Sequence, residues 1–212
     1  MRTIMVINAK GGCGKTTLAT NIAGFYANKG HNVALADFDP QGSSLDWLKA
    51  RPEDRAPIHG IAAYEGSVRA PRDTEYLILD VPAAIHGKTL TQLVRRAESL
   101  VIPVLPSPID MRACAHFIEE LLLVGKVNRD EVKLAVVANR VRENTLIFHT
   151  LEKFLKRLGI PRIATLRETQ NYIRAAERGL SIFEMAPSQV EHDVDQWKSL
   201  TRWLNSKRSV AG

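Results

Sequence analysis

The sequence predicts an α/β chain built on a doubly wound, mostly parallel sheet flanked by helices on both faces. Three observations carry that prediction. Short apolar runs of buried-strand type alternate with helical patterns along the chain, a glycine-rich turn joins the first run to the first helix, and two later runs end in Asp. A length of 212 residues fits one domain spanning 1–212, and a hydrophobic content of 45% allows a sizeable core.

The first strand is Ile4-Met5-Val6-Ile7, and residues 8–17, Asn8-Ala9-Lys10-Gly11-Gly12-Cys13-Gly14-Lys15-Thr16-Thr17, form the turn. A helix then runs through Leu18, Ile22, Ala23 and Tyr26. Asn32-Val33-Ala34-Leu35-Ala36 reads as a buried strand ending at Asp37-Phe38-Asp39-Pro40-Gln41. Ser43 to Ala50 is a short helix, Pro52 to Pro57 a charged connector, and Ile58 to Tyr64 a weak strand. Tyr76-Leu77-Ile78-Leu79-Asp80 is an apolar strand closed by Val81-Pro82. Lys88 to Arg96 suits a helix, Leu100 to Leu105 a strand, and Ile109 to Lys126 the longest helix, with Phe117, Leu121 and Val124 on one side. The strand Lys133 to Ala138 delivers Asn139-Arg140. A helix over Leu146 to Leu158, a strand over Pro161 to Leu166, and a short helix from Tyr172 to Arg178 capped by Gly179 come next. Gln189 to Asn205 is the last helix.

In parallel sheets, ligands sit at the carboxyl ends of the strands. Strand, glycine-rich turn, then helix is the context in which a phosphate loop works. Glycines let several N–H groups converge on one anion, and the helix N-terminus adds partial positive charge. Lys15 is placed to reach the outer phosphates and the Thr16 hydroxyl to ligate Mg²⁺. Compared with GxxxxGK[ST], Ala9 replaces the first Gly and Lys10 is an added cation. Asp80, after four apolar residues, has the form of a Walker B carboxylate. Lys15, Thr16, Asp39 and Asp80 together supply charge neutralisation, metal ligation and a carboxylate to orient water.

The net charge is +6, with nine basic and four acidic side chains between residues 140 and 178. Solvated helix faces and a polyanion-binding surface both account for such a run. No stretch of about 18 apolar residues suggests a membrane span. The first strand begins so early that neither a secretory leader nor a leading helix-turn-helix is expected. The two cysteines do not form a disulfide framework and fit a reducing cytoplasm. Cys13 reads as a small filler in the loop, and His86, His116 and His149 show no ligand spacing.

Lys10-Gly11-Gly12-Cys13-Gly14-Lys15-Thr16-Thr17 resembles the deviant Walker A motif, KGGxGK[ST]T, of the ParA/MinD ATPase superfamily. Asp37-Phe38-Asp39-Pro40-Gln41-Gly42 is similar to its D-x-D-P-Q-G motif, in the DPQ form typical of ParA. Leu77 to Pro82 resembles its Walker B segment, with Val81 where Thr, Ser or Cys is often found. The resemblance implies slow hydrolysis of ATP with Mg²⁺. It implies an ATP-dependent homodimer on non-specific nucleoid DNA in the cytoplasm, with a small adaptor of ParB type stimulating hydrolysis. The cargo would be a plasmid, a chromosome region, or a protein assembly such as a chemoreceptor cluster or carboxysome. Leu166 to Tyr172 is more similar to the protein-cargo members.

By the same resemblance Lys10 crosses the dimer interface to the partner's phosphates, and Lys15 acts on its own nucleotide. Gly11, Gly12, Cys13 and Gly14 cradle phosphates, and Thr17 contacts the α-phosphate. Thr16, Asp37 and Asp80 form the metal region, and Asp39 positions the hydrolytic water. Asn139 reads adenine, and Pro187, in Met185-Ala186-Pro187, covers the base. DNA is assigned to Arg162, Arg167, Arg174, Lys207 and Arg208. A MinD-like membrane reading remains as the alternative, resting on Val194, Trp197, Leu200, Thr201 and Leu204 at helical spacing before Lys207 and Arg208. A core-facing final helix is the preferred explanation, because it needs an apolar stripe of this width, and no membrane partner is then expected. Iron–sulfur relatives need accessible interface cysteines or a CxxC, and with Cys13 in the loop and Cys114 in a helix the sequence offers neither; the DPQ motif and basic carboxyl half argue against small-molecule enzymes such as dethiobiotin synthetase.

Overall fold

A computed structural model of the chain describes residues 1–83, 85–123, 132–142, 145–159 and 161–210. Its strands are β1 (Arg2–Val6), β2 (Val33–Asp37), β3 (Ile58–Ala62), β4 (Tyr76–Asp80), β5 (Ser99–Val104), β6 (Lys133–Val141) and β7 (Arg162–Arg167). Its helices are α1 (Lys15–Ala27), α2 (Ser43–Lys49), α3 (Gly87–Val94), α4 (Pro108–Leu123), α5 (Leu146–Leu158), α6 (Asn171–Ala176) and α7 (Pro187–Leu204). Short 3₁₀ turns cover Ile182–Glu184 and Lys207–Ser209. Every expected element is present, with ends shifted by up to three residues. The expected continuation of the longest helix over 124–126 lies outside the described residues.

The strands form one sheet in the order β3-β2-β4-β1-β5-β6-β7, and every pairing is parallel. Mostly parallel was expected; full parallelism follows because each strand is joined to the next by a crossover rather than a hairpin. Alternation along each strand feeds two cores. Met5 and Leu79 face α3, α4 and α5 through Leu90, Phe117, Ile118 and Leu151. Ile4, Val6 and Ile78 face α1 and α7 through Leu18, Ile22, Trp197 and Leu200. Of the expected α7 stripe, Trp197, Leu200 and Leu204 are buried against the sheet, while Val194 and Thr201 are half-buried beside a surface hollow with Phe25 and Phe183.

Two features of this architecture set the site. β1 is central, and the chain winds outward from it in both directions, so its carboxyl end is a topological switch point. The register also levels the strand ends: Val6 pairs with Asp80, and Asp80 with Asp37. The loop after β1 and the two aspartates thus meet along one edge.

Candidate nucleotide site

The loop after β1 is pinned from below. Asn8 is buried; its amide donates to the Pro103 carbonyl at 2.6 Å, and its oxygen accepts the Lys10 N–H at 3.2 Å. Gly12 and Gly14 hold φ of 73° and 94°, and Gly14 is the N-cap of α1. Gly14 must also be glycine for space, since an added Cβ would stand 2.3 Å from the Asn139 amide nitrogen. That amide donates to the Cys13 carbonyl at 2.8 Å, so β6 braces the loop. The first turn of α1 carries no acidic residue, leaving its N–H groups and dipole to an anion. Lys15 is buried, and its ammonium donates to the Lys10 carbonyl at 2.9 Å.

A cavity of about 240 Å³ opens over this loop, lined by Gly11, Gly12, Gly14, Lys15, Thr16, Thr17, Asp39, Asp80, Pro82 and Arg140 among others. It unites the expected phosphate residues with the ends of β2 and β4. Lys10 does not line it, and Cys13 is buried beneath it. Burial pushes the Cys13 thiol up and that of Cys114 to about 12, so both are unreactive thiols, in keeping with a filler.

Asp80 is 4% exposed and accepts the Ser44 hydroxyl at 2.5 Å. Burial pushes its carboxyl up to about 6, against hydrogen bonds from Ser44 and Thr16 that favour the charged form. Asp37, expected in the metal region, does not line the cavity. It is fully buried and acts as a helix cap: one oxygen accepts the Asp39 N–H at 2.9 Å, the other the Ser44 and Leu45 N–H groups at 2.8 and 3.4 Å. Gly42, the N-cap of α2, has no side chain for that task. Asp39 projects into the cavity, with one oxygen accepting the Gln41 N–H at 2.9 Å.

Among the described residues no cluster of three or more His, Cys, Asp or Glu could hold a metal ion. The Thr16 hydroxyl and Asp80 carboxylate are hard oxygen donors on a cavity that suits phosphate, and this set fits Mg²⁺ completed by phosphate oxygens and water.

A second, larger cavity of about 730 Å³ adjoins the first. Thr17, Asn139, Arg140, Arg167, Thr169 and Tyr172 are among its walls. Arg140 and Thr17 border both cavities. Pro187, expected to cover a base, is exposed at the start of α7 and lines neither. The wall comes instead from the β7–α6 segment, 168–173, with Ala176 and Glu177. This wall is anchored by Arg167, which pairs with Asp193 at 2.5 Å, while Asp193 accepts the Asn171 amide at 2.6 Å.

The basic residues assigned to DNA are not brought together. Arg167 and Arg174 lie near the larger cavity, at the carboxyl end of the strands. Arg162 opens β7 at the other end, where Lys207 and Arg208 follow α7 and Lys156 and Arg157 close α5. Arg208 lines a hollow there with Lys133, Gly159 and Pro161. A rise of about 3.3 Å per residue separates Arg162 from Arg167 by roughly 16 Å. Glu143, counted among the opposing acids, lies outside the described residues.

Ser44 and Arg140 are the site residues that sequence reasoning did not single out as such. Ser44 follows Ser43 in the first turn of a short helix and reads as a serine of a helix start. Arg140 reads as one of nine cations in a basic run. No helix among the described residues is long and apolar enough to cross a membrane.

Residues 4–182 match the family described as CobQ/CobB/MinD/ParA nucleotide binding domain. The sequence is 31% identical over 191 residues to the maintenance of carboxysome distribution protein A of Halothiobacillus neapolitanus, covering 86% of this chain and 87% of that relative. It is 32% identical over 137 residues to the chromosome-partitioning ATPase Soj of Thermus thermophilus, covering 49% of this chain and 55% of Soj. The fold matches an ATP complex of McdA from Cyanothece with a TM-score of 0.73 at 16% identity, over 95% of this chain and 96% of that one.

Proposed function

Because the chain belongs to the CobQ/CobB/MinD/ParA nucleotide-binding family and is an ATPase, we propose that it is a Mg²⁺-ATP-switched homodimer that holds non-specific DNA and positions a protein cargo, a carboxysome or similar assembly. One observation carries the cargo: the likeness to a carboxysome distribution protein runs along nearly the whole of both chains, whereas that to Soj covers about half.

In this reading the smaller cavity takes the triphosphate and the larger takes adenosine. Lys15 and the first N–H groups of α1 bind phosphate oxygens, and Thr17 faces the α-phosphate. Thr16 and Asp80 would hold Mg²⁺, which when bound neutralises charge on the β- and γ-phosphates. Asp39 keeps one oxygen for the attacking water while the other accepts from Gln41. Asn139 presents its free amide capacity to adenine while bracing the loop.

Lys10 lies outside its own cavity, which supports a reach toward a partner's nucleotide. A second lysine near the first is tolerable only opposite polyphosphate, so dimerisation is gated by the triphosphate. An adaptor of ParB type or equivalent would stimulate turnover, and the ATP form would reside on the nucleoid in the cytoplasm. For DNA, the edge bearing Lys156, Arg157, Arg162, Lys207 and Arg208 is favoured, since Arg167 is committed to Asp193. The Arg162–Glu152 pair at 3.1 Å is partly exposed and exchanges readily for phosphate. Burial of Trp197, Leu200 and Leu204 against the sheet favours the DNA-bound form over a membrane-bound one.

Sedimentation velocity with Mg²⁺ and ATP, ADP or no nucleotide tests the switch. A dimer with ATP alone, lost in Lys15→Ala, is the expected result. A dimer in all three states, or one that persists with ATP in Lys15→Ala, would refute it.

A further inference from the structure

Arg140 is the only non-glycine with positive φ among the described residues, at 49°. It sits where β6 and β7 fall out of step: Ala138 pairs with Thr165, but Val141 pairs with Arg167, so three residues on β6 span two on β7. Such a bulge re-aims side chains, and glycine is the residue that adopts this conformation at low cost. Here an arginine occupies it. Its neighbour Asn139 turns inward to the loop, and Arg140 turns out to solvent at the border of the two cavities.

Among the described residues nothing hydrogen-bonds or ion-pairs with its guanidinium. Other cations nearby are engaged: Arg142 pairs with Glu168 at 2.5 Å, Arg167 with Asp193, and Lys15 with the Lys10 carbonyl. A strained conformation that presents an unpaired five-donor group to a binding cleft points to a ligand that repays the strain.

We propose that Arg140 holds the nucleotide at its waist, its guanidinium on the α-phosphate where the chain of phosphates meets the ribose. The inference rests on the assignment of the two cavities to triphosphate and adenosine. A nucleotide spanning them passes between Thr17 and Arg140, the residues common to both, and the charge nearest the base is the α-phosphate. The planar fork of arginine suits two phosphate oxygens. The contact is common to ATP and ADP, so it contributes to retention of both and not to discrimination between them.

The test is equilibrium binding of Mg²⁺-ADP and Mg²⁺-ATP to wild type, Arg140→Ala, Arg140→Gly, Arg140→Lys and Lys15→Ala, at low and high salt. Arg140→Gly relieves the φ strain and is expected to melt no lower than wild type, so a loss of binding there is not a loss of fold. Arg140→Ala and Arg140→Gly should weaken ADP and ATP alike, by about tenfold or more, with Arg140→Lys between them and wild type. The deficit should shrink at high salt, as a charge interaction requires. Unchanged affinity in Arg140→Gly while Lys15→Ala loses binding would overturn the inference and leave the cavity assignment standing. Loss confined to ATP would also overturn it, because the guanidinium would then face the outer phosphates or a partner's nucleotide. If wild type itself bound neither nucleotide, the cavity assignment would fall with it.

Discussion

Asp80 has to be charged to hold a cation, yet burial lifts its carboxyl to about 6. A folded value above the ordinary 3.8 means that ionisation costs stability, so the cation-free protein should lose stability as pH rises from about 4 through about 6. Cation binding has the opposite sign: Mg²⁺-ATP affinity should fall as pH drops through about 6, and titration calorimetry between pH 5 and 7.5 checks it. A flat profile would mean that Asp80 stays ionised throughout. Asp37 belongs to a different class. Both of its oxygens are spent on backbone N–H groups, so Asp37→Ala should lower stability by about 1–2 kcal/mol in urea unfolding. That the loop, Asp39 and Asp80 share one cavity was legible in the sequence, because a glycine-rich turn between strand and helix and two strands ending in Asp place all three at carboxyl ends of a parallel sheet. Ser44 was not, because its hydrogen bond to Asp80 joins residues 36 apart. Arg140 was not, because its aim depends on a bulge that no spacing rule reveals.

The elements are joined behind the site by a buried clamp. Arg51, just past α2, pairs with Glu184 at 2.6 Å, the two side chains 5% and 1% exposed, and also donates to the carbonyls of Gly179 and Ala56. Although burial pushes Glu184 up, hydrogen bonds from Arg51 and Ser181 hold its carboxyl below the usual range. The clamp's contribution is therefore present above that range and lost on acidification. From the other side Asn21 of α1 accepts the Ile182 N–H at 2.7 Å and donates to the Thr17 carbonyl at 2.7 Å. Gly179 fits between, with φ of 61° and an added Cβ only 2.3 Å from the Arg51 nitrogen. It closes α6 in a Schellman arrangement, as its position in the sequence suggests, with Leu180 N–H on the Ala175 carbonyl at 2.9 Å. Arg51→Ala leaves Glu184 buried without its partner and should cost about 3–5 kcal/mol, read by denaturant midpoint. A change below about 1 kcal/mol would show that water enters the clamp freely. Element order was legible because strand and helix periods differ along nearly the whole chain. The clamp was not, since Arg51 and Glu184 both look like surface charges in sequence.

At the scale of the whole molecule, the sheet keeps the nucleotide edge and the favoured basic edge at opposite ends of its strands. In the proposed dimer, closed over nucleotide, that separation would leave the basic edge free, and two copies would double the number of DNA phosphates held without any new chemistry. The sequence showed that basic residues were concentrated in the carboxyl half, but not that the fold would split them between two edges, because β7 carries Arg162 and Arg167 to opposite ends. Charge reversal of Lys207 and Arg208 should therefore weaken DNA binding and flatten its salt dependence, by a slope of about 0.9 for each phosphate no longer neutralised. The same change at Arg174 should have little effect. Whether ATP gates assembly on DNA is read by fluorescence anisotropy of a random-sequence duplex titrated with the protein in Mg²⁺-ATP, Mg²⁺-ADP or no nucleotide, using wild type and Asp39→Ala. Tight binding with ATP alone is expected, and binding that outlasts the wild type in Asp39→Ala because hydrolysis no longer releases the complex. Equal affinity in all three nucleotide states, or release by Asp39→Ala as fast as by wild type, would contradict it.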